Sequence, residues 1–113
     1  MRGVGVWVML GLMVVGRGVF AADVAGAGDA VVIARSNACM GCHAVDRKLV
    51  GPSFQQIAAK YKGDSQAPAR LEAKVRNGGS GVWGVIPMPS HPSMSSADIQ
   101  KVVAWILAGA PGK

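Results

Sequence analysis

Cys39-Met40-Gly41-Cys42-His43 is the stretch on which the reading of this chain turns. Two thiols three positions apart, with an imidazole directly after the second, form a CxxCH pentapeptide. That spacing offers both sulfurs to the two vinyl groups of a porphyrin, giving thioether links, and sets an imidazole beside the tethered ring to coordinate iron from one side. Three other uses of these residues compete. A thiol redox pair expects a thioredoxin-like strand and helix around it, and strand signals are sparse here. A Cys39–Cys42 disulfide closes too small a loop to fix much of a fold. Zinc takes four ligands, and Cys39, Cys42, His43 and the distant His91 make an unusual set.

An iron held by one imidazole needs its other face explained. Beyond the N-terminal segment the methionines are Met40, Met88 and Met94. Met40 lies inside the pentapeptide and cannot reach around a ring attached there, so packing or exposure is its expected state. Met88 sits in Ile86-Pro87-Met88-Pro89, where two prolines stiffen the backbone and restrict how the thioether approaches. It is the expected sixth ligand, with Met94 and His91 as fallbacks; a hydrophobic plug is the ordinary role of a loop methionine.

Size and composition agree with one small exported domain. The chain has 113 residues, 50% hydrophobic and 16% charged, which suits one core and not two. Met1 and Arg2 precede an apolar run, residues 3–15, that is too short to span a bilayer, for which about 20 apolar residues are needed. Val19-Phe20-Ala21 then supplies the small-residue pattern of a signal peptidase site, so residues 1–21 read as a signal peptide, with an uncleaved anchor as the alternative because Arg17 interrupts the layout. Residues 22–28 read as a flexible leader and 29–113 as the domain. Loss of residues 1–21 removes Arg2 and Arg17 and lowers the formal charge from +6 to +4. The other basic residues are scattered, which argues against a nucleic-acid surface and leaves a mild preference for acidic partners.

Four helices are expected. Asp29 caps a helix over 30–39, with strand as a local competitor because of Val31, Val32 and Ile33. Residues 54–61 carry apolar positions 54, 57, 58 and 61 on one face, bounded by Gly51-Pro52 and Gly63. Residues 67–76 have Pro68 in the first turn and stop at Asn77-Gly78-Gly79. The last helix is capped by Ser95, with Asp98 three positions on, and presents Ile99, Val102, Val103, Ile106 and Leu107 as a broad apolar face. Between the third and fourth helices lies a Gly- and Pro-rich loop, 78–93, longer than a compact domain tolerates without a function.

Cys39-Met40-Gly41-Cys42-His43-Ala44-Val45-Asp46, Leu49-Val50-Gly51-Pro52, Asn77-Gly78 and Gly81-Val82-Trp83-Gly84-Val85-Ile86-Pro87-Met88-Pro89 resemble, in order and over most of 29–109, the small bacterial class I cytochromes c of the cytochrome c-551 type. The resemblance implies an all-α class I cytochrome c fold, about four helices wrapped around one covalently attached haem c. It implies that Cys39 and Cys42 form the thioethers and that His43 and Met88 are the axial iron ligands. It further implies that the Pro52 carbonyl orients His43, that Trp83 hydrogen-bonds a propionate, and that Lys74, or less well Arg76, faces one. Core packing is the alternative for Trp83 and a solvated charge for Lys74. Val85 departs from the pattern, where proline is common, and Trp105 is expected to pack on the first helix. The implied role is one-electron transfer without substrate conversion in the periplasm, between a membrane cytochrome complex and a nitrite reductase or terminal oxidase. An open distal position would instead make the scaffold a haem sensor or peroxidase-like protein, and absence of haem a thiol-disulfide oxidoreductase.

Overall fold

The computed structural model describes residue 3 and residues 21–112, and orders them as four α-helices, a 3₁₀ turn and one small hairpin. The expected signal peptide lies, apart from Gly3 and Ala21, outside the described residues. The helices are α1 (Ala21–Ser36), α2 (Phe54–Lys60), α3 (Ala67–Asn77) and α4 (Ser96–Leu107). Among the described residues, no helix is long and apolar enough to cross a membrane.

α4 is the centre of the packing. Ser95 caps it by accepting a hydrogen bond from the Asp98 backbone N–H at 3.1 Å, as its Ser-x-x-Asp start predicts. Its Ile99, Val102, Val103, Trp105 and Ile106 are buried against the other three helices. Ala30 and Ala34 of α1 are fully buried in the cluster that holds Phe54, Val102 and Trp105; their small size lets the two helices approach closely. Trp105 stands edge-on to Phe54 at 5.3 Å and donates its indole N–H to the Pro111 carbonyl at 2.9 Å, so it packs against α1 as expected.

Two boundaries differ from the sequence reading. α1 begins at Ala21, so Asp29 is an interior residue and not a cap, with its carboxylate 3.8 Å from Lys101 Nζ. The alanines at 21, 22, 25 and 27 have the highest helix propensity and carry the helix upstream. α1 also stops at Ser36, because Ala38 adopts a left-handed conformation with φ 58°, and Cys39–Gly41 form a separate 3₁₀ turn.

The long loop adds one small hairpin to the helical architecture. β1 (Gly79–Gly81) pairs antiparallel with β2 (Gly84–Met88) in the register Gly79 with Met88 and Gly81 with Gly84. No apolar alternation announces these strands: Gly79, Gly81 and Gly84 all have positive φ, and Pro87 lacks an N–H. Backbone pairing holds the hairpin, and the class I helical architecture is otherwise as expected.

Candidate functional site

The 3₁₀ turn ends at Cys42, whose carbonyl accepts from the Gly51 N–H at 2.8 Å. Phe54 N–H donates to the Ala44 carbonyl at 2.9 Å and Gln55 N–H to that of Val45 at 3.0 Å. The segment after the pentapeptide is thus folded back on itself, with α2 started against it. Ser53 and Gln56 close a reciprocal capping box at that start, with bonds of 3.0 and 2.9 Å.

The fold-back brings the Pro52 carbonyl to 2.7 Å from His43 Nδ1. A carbonyl only accepts, so Nδ1 carries the hydrogen and Nε2 keeps its lone pair, the tautomer a metal-ligating imidazole needs. The ring stacks on Phe54 with centroids 5.4 Å apart. Gly51 lies against its other atoms: a Cβ there would stand 2.6 Å from Cε1 and 3.0 Å from Nδ1. In the sequence Gly51 bounds a helix and belongs to the Leu49-Val50-Gly51-Pro52 stretch, neither of which announces its contact with His43.

Cys39, Cys42, His43, Pro52, Lys74, Trp83 and Met88 all line one cavity of about 850 Å³, within the range of about 300–1,000 Å³ common for cofactor sites. The two fallback ligands and Met40 are not among its lining residues. Met94 is buried with Val75, Ile99 and Val103, and the His91 Nε2–H donates to the Asn37 carbonyl at 3.1 Å. Met40 packs half-buried against the cluster that holds Phe54, Val102 and Trp105. Met88 is half-buried beside Val75, Ile99 and Val103. Its carbonyl and the backbone of Pro89 and Ser90 press on Gly78, where φ is +67° and a Cβ would collide. Gly78, read as a helix stop, is therefore also the seat of the Met88 loop.

The rest of the wall suits a flat apolar ring with an anionic edge. Ile57, Leu71, Val102, Val103 and Ile106 supply apolar surface, and Val85, at 90% exposed, leads a group of solvent-facing apolar side chains with Val50, Val82 and Ile86. The charged lining residues are Lys48, Arg70 and Lys74, all cationic. Arg70 is already paired with Asp64 at 3.0 Å, whereas Lys74 lies next to Gly79 of β1. Arg76 points elsewhere, toward the carbonyl of Met94 and Ser96 Oγ. Trp83 stands on the cavity wall, and Lys60 Nζ sits 5.4 Å from its ring centroid.

Burial pushes the Cys39 thiol above its ordinary range, opposed by a hydrogen bond to its own backbone and reinforced by Cys42. A thiol-exchange cysteine needs the opposite shift, since the thiolate is the nucleophile.

The cytochrome c family model matches residues 27–110. Cytochrome c-551 of Allochromatium vinosum is 47% identical over 77 residues, 68% of this chain and 82% of that protein. Cytochrome c-551 of Pseudomonas aeruginosa is 38% identical over 97 residues, 86% of this chain and 92% of that protein. The crystal structure of Nitrosomonas europaea cytochrome c552 superposes with a TM-score of 0.67 at 43% identity, over 70% of this chain and 98% of that one. The chain belongs to the cytochrome c family, as a small class I protein of the cytochrome c-551 type, a monohaem electron carrier with one covalently bound haem c.

Proposed function

We propose that this protein is an exported, periplasmic one-electron shuttle in a respiratory or denitrifying chain, and that Cys39, Cys42, His43 and Met88 hold its haem. The observation that carries the ligand assignment is the shared cavity: it is lined by all four of these residues and by neither fallback ligand. Bound haem supplies reversible one-electron chemistry between Fe(III) and Fe(II).

The chain's own residues supply attachment, orientation and exclusion. Cys39 and Cys42 would hold the ring through thioether bonds to its two vinyl groups. The Pro52 carbonyl fixes the His43 tautomer and raises the basicity of Nε2. Met88, stiffened by Pro87 and Pro89, would supply the second protein ligand to the iron, a thioether that favours the ferrous state. Lys74 and Trp83, both on the cavity wall, would meet the propionates. The cationic rim with its exposed apolar side chains suits protein redox partners, with a membrane cytochrome complex as donor and a nitrite reductase or terminal oxidase as acceptor.

Oxidised and reduced absorption spectra of the purified holoprotein, compared with those of Met88→Ala, test this reading. The variant should keep its covalent haem and lose the weak red band of sulfur-to-iron coordination in the ferric state. Its midpoint potential should fall. Met94→Ala and His91→Ala should keep the band at neutral pH; a band that survives in Met88→Ala and vanishes in Met94→Ala refutes the assignment.

A further inference from the structure

His91 is not among the residues that line the cavity, yet it is held through both its backbone and its ring. Its backbone N–H is shared between the carbonyls of Val75 and Arg76 at the end of α3, at 3.0 and 3.2 Å. Its Nε2–H donates to the Asn37 carbonyl at 3.1 Å, across 54 positions of sequence. Its Nδ1 is buried without a partner. Buried polar atoms are normally satisfied, so an orphan of this kind calls for a reason to keep the residue.

The two ends of the Asn37 bond suggest the reason. Asn37 lies at the end of α1 and is followed by the left-handed Ala38 and then by Cys39. His91 lies three residues after Met88, on the backbone that leaves Gly78. One side-chain hydrogen bond therefore joins the segment that presents the attachment cysteines to the segment that presents the thioether. We infer that His91 is a positioning residue for Met88: its ring ties the distal loop to the attachment turn and so resists departure of the thioether from the iron. This rests on Met88 being the distal ligand.

The bond geometry supplies a selective test. Nε2 of histidine and the amide nitrogen of glutamine are both three bonds beyond Cβ, whereas asparagine reaches only the position of the orphaned Nδ1. The ferric holoproteins of wild type, His91→Ala, His91→Asn and His91→Gln are mixed with potassium cyanide at neutral pH, and disappearance of the red band is timed. Loss of one part-buried hydrogen bond from the closed state predicts cyanide binding about tenfold faster in His91→Ala and His91→Asn. His91→Gln should return close to the wild-type rate. Equal rates in wild type and His91→Asn, or His91→Gln as fast as His91→Asn, overturn the inference, and this pair decides it even where His91→Ala yields no holoprotein. The two readings fail separately: a red band retained in Met88→Ala removes the ligand assignment, whereas a Met88-dependent band with unchanged His91→Asn kinetics removes only the tether.

Discussion

Gly51→Ala tests how far the proximal geometry depends on a residue with no side chain. The added Cβ would stand 2.6 Å from His43 Cε1, where ordinary contact begins near 3.4 Å, so the ring or the Gly51 backbone must move by about 0.8 Å. The ring cannot yield freely, because Phe54 stacks on it and the Pro52 carbonyl holds Nδ1 at 2.7 Å. A shift of that size along the bond would stretch it to about 3.5 Å, where hydrogen bonding is largely lost. Overpacking of this kind costs about 1–3 kcal/mol, which for a domain of this size lowers Tm by roughly 4–8 °C per kcal/mol. A weaker Nδ1 bond also lowers the basicity of Nε2, so the midpoint potential should rise relative to wild type. Thermal melting of the holoprotein and voltammetry on the same sample measure both effects. Gly41→Ala is the control, since a Cβ there meets nothing within 4 Å. A Gly51→Ala protein with the melting temperature and potential of Gly41→Ala would refute the reasoning.

Replacing both attachment residues, Cys39→Ser with Cys42→Ser, should yield little folded holoprotein, because a domain this small draws much of its core from the ring it encloses; recovery of a haem-free variant with wild-type melting would contradict that. N-terminal sequencing of protein recovered outside the cytoplasm should begin at Ala22 or Asp23, and an intact Met1 on membrane-bound material would establish the anchored form.

The legible parts of this protein were those in which chemistry fixes residue type at short range. The pentapeptide, the proline-flanked Met88 and the Ser95 cap each declare themselves within a few positions. The capping box Ser53-x-x-Gln56 was equally local, though it passed unread behind Gly51-Pro52. The hairpin was not legible, because three positive-φ glycines and a proline have neither strand propensity nor alternation. Its pairing is set by backbone geometry that a pattern of side chains does not record. The upstream extension of α1 is hidden for another reason: residues 22–28 are small and mostly uncharged and read as a flexible leader, whereas the alanines among them sustain the helix.

The contacts that place the ligands follow the same division, and it separates the two faces of the site. On the His43 side the hydrogen bonds of the 3₁₀ turn, the fold-back and the α2 cap described above fall within residues 39–56 and make one local unit. On the Met88 side the loop rests on Gly78 at the end of α3, and His91 reaches back to Asn37 near the end of α1. Its position therefore requires α1, α3 and α4 to be assembled, and it is lost when any of them opens. Contacts that span long sequence separations are also the ones a single sequence cannot expose, which is why Gly78 reads as punctuation and His91 as a spare ligand. The proposed ligands suggest themselves from their chemistry; the contacts of Gly78 and His91 become visible only once the distant segments are side by side.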